Sequence, residues 1–267
     1  MLNNITLGQF YPGSSLVHRL DPRMKILLLV ALIVAIFLAQ NLLAFVPIIL
    51  FLALAAKLST IPFAMLLKGL KPLRFILIFT FVLNLFFLQG ETVLLNLGFA
   101  QIKTEAVVSA IHYCLRLVLL VLASSLLTLT TAPIVLTDGL ERLLSPLRVV
   151  HFPAHEMAMM MSIALRFIPT LLEEADKIMK AQTARGADFE SGNLLNRAKA
   201  MVPLLVPLFV SAFRRAGDLA MAMEARCYHG GEGRTRLRVL KCKAADFYSL
   251  FALAALIAAV VLCGKVY

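Results

Sequence analysis

The sequence predicts an all-α, polytopic membrane protein with about five transmembrane helices and a cytoplasmic helical domain built on two long crossing helices. Three observations predict it. Of 267 residues, 61% are hydrophobic and only 15% are charged, whereas a soluble domain carries about 25% charged residues. Mean hydropathy is +0.89. Uncharged runs recur at spacings suited to membrane crossing, and the positive charge alternates between the connections. The same figures exclude disorder, because so much apolar surface does not stay solvated.

The residues from Ile26 to Ala56 contain no charge. As one helix they would measure about 46 Å, too long for a hydrocarbon core of about 30 Å. Gln40, Asn41 and Pro47 interrupt the run, which gives two short spans at 24–39 and 42–57. Further runs are Phe75 to Gly90, Leu117 to Leu136 and Phe247 to Gly264. No apolar stretch precedes Lys25, so a cleavable secretion signal is not expected there. The chain divides into 1–132, a membrane region with four spans, 133–245, a cytoplasmic helical domain, and 246–267, a C-terminal transmembrane helix.

The charges fix the expected orientation. Arg19, Arg23 and Lys25 precede the first span, the turn at 40–41 is bare, and Lys57, Lys68, Lys71 and Arg74 fill the next connection. Residues 89–105 are net acidic through Glu91 and Glu105 against Lys103, and residues 133–245 hold 16 Lys and Arg. Basic residues gather in cytoplasmic loops, so the N-terminus is expected inside and the C-terminus outside. The net charge of +11 therefore marks topology rather than a nucleic-acid partner. Arg116 is expected to reach the outer headgroups or pair with Glu91 or Glu105. Asn84 is expected to make an interhelical hydrogen bond.

Three helices are expected in 133–245. A short one begins at Thr137 and stops at Ser145-Pro146. A long one runs from His155 to Arg185, with Pro169 inside, Gly186 as its cap, and acid-first pairs Glu173/Lys177 and Asp176/Lys180 along its second half. The third covers 194–229, with Pro203 and Pro207 near its start. Ala212, Ala216 and Ala220 form a small-residue stripe that suits close helix approach. Eight of the 11 methionines lie between 157 and 223. They are either core filler or a deformable surface for changing partners.

The two long helices end alike, in Ala184-Arg185-Gly186 and Ala225-Arg226-Cys227, 41 residues apart. A small residue on each side leaves the guanidinium uncovered, and its planar fork pairs with a carboxylate in two parallel hydrogen bonds. Two such ends suit two equivalent sockets on a dimeric partner. A simpler role is also open to each arginine, since a cation near a helix C-terminus complements the macrodipole.

Catalytic and metal signatures are missing. No phosphate loop of the G-x-x-x-x-G-K-[ST] type occurs. His151 and His155 are separated by Pro153, with no third ligand close. Cys114, Cys227, Cys242 and Cys263 form no C-x-x-C pair and are expected reduced. A secondary transporter or channel is the alternative class, but no inverted repeat of spans and no clear midplane acid is visible. An integral-membrane enzyme would need a polar catalytic cluster, and the long helices are mostly Met, Leu and Ala.

In order along the chain, His18-Arg19-Leu20-Asp21-Pro22-Arg23-Met24-Lys25, Thr137 to Leu147, Arg166-Phe167-Ile168-Pro169 through Ala184-Arg185-Gly186, and Ala225-Arg226-Cys227 resemble the motifs of one family. It is the transmembrane T component of energy-coupling factor (ECF) transporters, the vitamin- and metal-uptake branch of ABC importers. The resemblance implies a non-catalytic subunit without cofactor in a bacterial or archaeal cell membrane. Its cytoplasmic coupling helices would dock on two ATP-hydrolysing subunits, a homo- or heterodimer, which supply the ATP chemistry. A separate membrane S component would bind the substrate; T components of this family are either dedicated to one S component or shared among several, and the chain's length and Met-rich helices lean towards the shared kind. The resemblance assigns docking to Ala184, Arg185, Gly186, Ala225, Arg226 and Cys227, the arginines pairing with acidic groove residues. Cys227 departs from the small Gly, Ala or Ser usual there.

Overall fold

The computed structural model describes residues 10–87, 93–96, 101–150, 152–187, 189, 193–230 and 243–265. They form two compact units, one from 10–140 together with 243–265 and the other from 141–230. The elements of the described residues are helical apart from one short pair of antiparallel strands.

In the first unit, α1 (Pro22–Leu38) and α2 (Phe45–Leu58) flank a short 3-10 turn at Leu42–Ala44. The long apolar run is thus broken where the sequence predicts. α3 (Phe63–Lys68) and α4 (Arg74–Phe87) follow, then the antiparallel strands β1 (Val93–Asn96) and β2 (Gln101–Lys103), which the sequence did not announce. α5 (Thr104–Thr130) and α9 (Ala244–Lys265) complete the unit. Their 27 and 22 residues extend about 40 and 33 Å, enough to cross a bilayer. Among the described residues these two are long and apolar enough to span alone. α1, α2 and α4, with 17, 14 and 14 residues, are shorter apolar helices.

The fourth span begins at Thr104, not near Leu117. His112 and Arg116 lie within it because their polar groups are engaged. The half-buried Arg116 donates from Nη2 to the Ala39 carbonyl at the end of α1 and to His112 Nε2, both at 3.0 Å. Its guanidinium lies 5.4 Å from the Phe37 ring centre and 5.9 Å from that of Tyr113. Arg116 therefore caps the C-terminal end of α1 and makes no ion pair with Glu105. Glu91 lies outside the described residues. Asn84 bonds the Thr80 carbonyl of its own helix at 2.8 Å, not a neighbouring helix.

α5 stops at Thr130, and Pro133 opens α6 (Pro133–Leu144), four residues ahead of the expected start. Pro at a first helical position needs no N–H partner. Gly139 brings α6 against α1. A Cβ there would stand 3.0 Å from Pro22 Cβ and 3.2 Å from the Pro22 carbonyl carbon.

The core of this unit lies between α1, α2, α5 and α9, around Leu32, Ile36, Phe45, Ile48, Leu253 and Val260. The start of α1 is pinned by buried polar contacts. Asp21 caps the helix by accepting from Arg23 N at 3.0 Å, and Asp246 Oδ1 accepts from Asp21 N at 2.9 Å. Lys25 turns inward and donates to the carbonyls of His18 and Thr130 and to Thr131 Oγ1, at 3.2, 3.0 and 3.1 Å. The outer faces are hydrocarbon. α4 buries none of its residues, and Phe75 and Phe87 are 77% and 79% exposed. Such faces belong against lipid or a membrane partner.

The second unit is dominated by α7 (Ala154–Ala184) and α8 (Leu194–Glu224), each of 31 residues. α7 matches its predicted limits, while α8 ends before Ala225. His155 Nδ1 meets Glu141 Oε1 at 2.9 Å, holding the start of α7 to the end of α6. His151 lies outside the described residues.

Candidate docking site at the ends of the two long helices

α7 and α8 terminate in the same hydrogen-bonded motif. At the end of α7, Gly186 N donates to the Thr183 carbonyl and Ala187 N to the Gln182 carbonyl, each at 3.0 Å. At the end of α8, Cys227 N donates to the Glu224 carbonyl at 2.8 Å and Tyr228 N to the Met223 carbonyl at 3.1 Å. This pair of bonds is the Schellman closure, whose defining residue takes a left-handed conformation. That residue is Gly186 at φ +90° in α7 and Cys227 at φ +54° in α8.

The motif explains the small-Arg-small pattern in local terms. The first small residue belongs to the last turn. The arginine is the cap, where the partial negative charge of the helix end favours a cation. The third residue reverses the chain and requires positive φ, which glycine adopts freely. Cys227 adopts it at a cost of about 1–2 kcal/mol. All six residues, Ala184, Arg185, Gly186, Ala225, Arg226 and Cys227, are exposed. Neither arginine makes an ion pair among the described residues.

A second feature lies farther back. Glu174 of α7 accepts from Arg215 Nη2 at 2.7 Å through Oε2, and from the Ser211 hydroxyl through Oε1. The Ser211 hydrogen bond, followed by the hydrogen bond and charge of Arg215, holds the Glu174 carboxyl below its usual value against the opposing effect of desolvation. Glu174 stands eleven residues before Arg185, and Arg215 eleven before Arg226. Each arm beyond the tie is therefore about 16 Å long.

This tie was not foreseen. The acid-first pairs Glu173/Lys177 and Asp176/Lys180 are not among the ion pairs of the described residues. The alanine stripe does not seat the helix either, since Ala216 and Ala220 are exposed and the face turned to α7 carries Ser211 and Arg215. The 41-residue offset was a usable signal, since it relates Glu174 to Arg215 as it relates Arg185 to Arg226. The methionines divide between the two readings: Met159, Met179 and Met223 are half-buried, whereas five are exposed. Met157, Met160, Met161, Met201 and Met221 are 39–64% exposed.

Among the described residues no three His, Cys, Asp or Glu side chains gather as metal ligands. Cys114, Cys227 and Cys263 are free thiols, and Cys242 lies outside the described residues.

Comparison with known proteins gives a consistent result. The family described as "CbiQ: Cobalt transport protein" matches residues 13–237. The energy-coupling factor transporter transmembrane protein EcfT of Acidaminococcus fermentans is 54% identical over 246 residues, covering 92% of this chain and 91% of its own. The protein of the same name from Clostridium kluyveri is 50% identical over 264 residues, covering 98% and 96%. That of Bacillus subtilis is 50% identical over 260 residues, covering 96% and 98%. With the apolar helices of one unit and the paired long helices of the other, these matches place the chain in the CbiQ/EcfT family, the transmembrane T components of ECF transporters.

Proposed function

We propose that the chain is the coupling subunit of an ATP-driven importer and that Arg185 and Arg226 are its contacts with two ATPase subunits. The observation that carries this reading is the matched pair of helix ends: equal helices, one closing motif, and one exposed arginine at each cap. Each guanidinium would pair with a carboxylate in a groove of one ATPase subunit, in a homo- or heterodimer.

The reading sets the rest of the assembly. The ATPases lie in the cytoplasm, so α7 and α8 do too, with the N-terminus inside and the C-terminus outside. ATP is bound and hydrolysed by the partners, and this chain contributes no catalytic group or cofactor. As the ATPases close, their two sockets approach and carry the ends of α7 and α8. The Glu174–Arg215 tie makes the two arms move about a common point. That motion reaches a separate membrane subunit, the S component, which holds the vitamin or metal ion. The exposed Met157, Met160 and Met161 supply a surface able to repack against several such subunits.

Co-expression with the two ATPase subunits tests the docking. Complex recovery is expected to fall for Arg185→Glu or Arg226→Glu and to vanish for the double variant. Full recovery of the double variant from membranes would remove the arginines from the interface.

A further inference from the structure

The first unit contains a groove of about 460 Å³ between α1, α2, α5 and α9. Its walls are nearly all hydrocarbon, with Leu28, Leu32, Phe51, Ala55, Leu126 and Ala252 along its length. The volume lies within the roughly 300–1,000 Å³ of sites that take a small organic ligand. Polar side chains on the wall are already engaged. Lys25 Nζ donates to three oxygens, and Thr130 and Ser249 hydroxyls bond helix carbonyls. The interior therefore has little to offer a polar molecule.

The residues that flank the lining at one end have the opposite character. α1 and α9 begin at the same end of the unit where α2 and α5 finish. Arg19 and Lys57 each adjoin a lining residue in sequence, Leu20 and Leu58, and Lys243 stands two before Ala245. All three cations are exposed and make no ion pair among the described residues. Tyr248 lines the groove and is 76% exposed, a side chain suited to the boundary between hydrocarbon and water. The acids at that end do not neutralise the cations. Asp21 and Asp246 are buried and accept from backbone N–H groups, while Asp138 is half-buried in α6.

We infer that this groove holds one acyl chain of an anionic glycerophospholipid, with its phosphate at the level of Arg19, Lys57 and Lys243. A hydrocarbon slot flanked at one end by cations without an ion pair among the described residues matches the two halves of such a lipid. A partner helix fits worse. At a diameter of about 10–12 Å it would fill the available volume within about one turn.

The test uses the full chain in bilayer nanodiscs. The sequence has no Trp, so Tyr248→Trp places a single indole in the groove lining. Brominated-chain phosphatidylglycerol in unbrominated phosphatidylcholine is expected to quench it saturably at low mole fraction. Brominated phosphatidylcholine is expected to quench only in proportion to its abundance. Substituting Arg19, Lys57 and Lys243 together by Gln should weaken the phosphatidylglycerol preference by at least about tenfold, each cation near an anionic surface contributing about fivefold. Ala55→Phe, which fills the slot, should abolish saturation. Native mass spectrometry of the unsubstituted chain needs no reporter and should show one retained phosphatidylglycerol. Equal quenching by both lipids, or a preference that survives the triple substitution, would overturn the assignment. So would loss of saturable quenching once the substrate-binding membrane subunit is present, which would make the groove that subunit's seat.

Discussion

Glu174 and Arg215 form an ion pair between the two long helices, 2.7 Å apart, and each stands eleven residues before the arginine that caps its own helix. Two rods of equal length, tied at equal distances from equal ends, behave as a pair of matched arms. Under the proposed coupling role, a push on either cap would be resisted at the tie rather than lost in sliding between the helices. Coupling over such distances needs an element with two discrete arrangements that both ends can bias. Under the proposed coupling role, the tied helix pair would be that element.

The tie has a defined pH range. Because the Ser211 and Arg215 contacts lower the carboxyl of Glu174, its contribution is fully present above the ordinary carboxylate value, and is lost as pH falls through the lowered one. Thermal unfolding of the chain and of Glu174→Gln is therefore expected to differ by a constant amount from pH 8 down to about 5, near the free carboxylate range. The two curves should converge in stronger acid. A difference that grows towards high pH would place another group in control.

Gly186 and Cys227 hold the same position of the same motif, but only one is glycine. Cys227→Gly is expected to stabilise the end of α8 by about 1 kcal/mol by removing left-handed strain. Gly186→Ala should destabilise the end of α7 by a similar amount. Hydrogen exchange of the Tyr228 and Ala187 amides measures both. Slower exchange at Tyr228 with faster exchange at Ala187 is the expected pair of results.

Gly139 admits α6 against the start of α1. With Pro22 backbone and ring atoms 3.0–3.2 Å from an added Cβ, no flexible side chain is available to yield. Gly139→Ala is expected to lower stability by about 1–3 kcal/mol, the usual cost of overpacking. Its unfolding midpoint in detergent checks this, with Gly217→Ala as a control because a Cβ there meets nothing.

The sequence disclosed what hydropathy and local chemistry control. The break at Gln40-Asn41, the limits of α7 and the left-handed role of Gly186 follow from apolar run length and glycine. It misplaced what depends on distant partners. Arg116 and His112 look like the edge of a span until the Ala39 carbonyl and the Phe37 and Tyr113 rings are seen beside them. Lys25 looks like an inside-facing charge, yet it points into the unit because the end of α5 offers two acceptors. At the site, the arginines were legible as a repeated three-residue pattern. Their tie was not, because Glu174 is one of several acids in α7 and only α8 selects it. Nor did sequence distinguish packed from exposed methionines, which share one composition.

The most direct test of coupling separates ATP hydrolysis from transport. Complexes assembled with unsubstituted Arg185 and Arg226 but carrying Glu174→Arg, Arg215→Glu, or both, would be reconstituted in vesicles. Uptake per ATP hydrolysed would then be measured. The single variants place like charges at the tie, so they should keep ATPase activity and lose uptake, and the double swap should recover it. Uptake per ATP unchanged in both single variants would contradict a tied pair of arms.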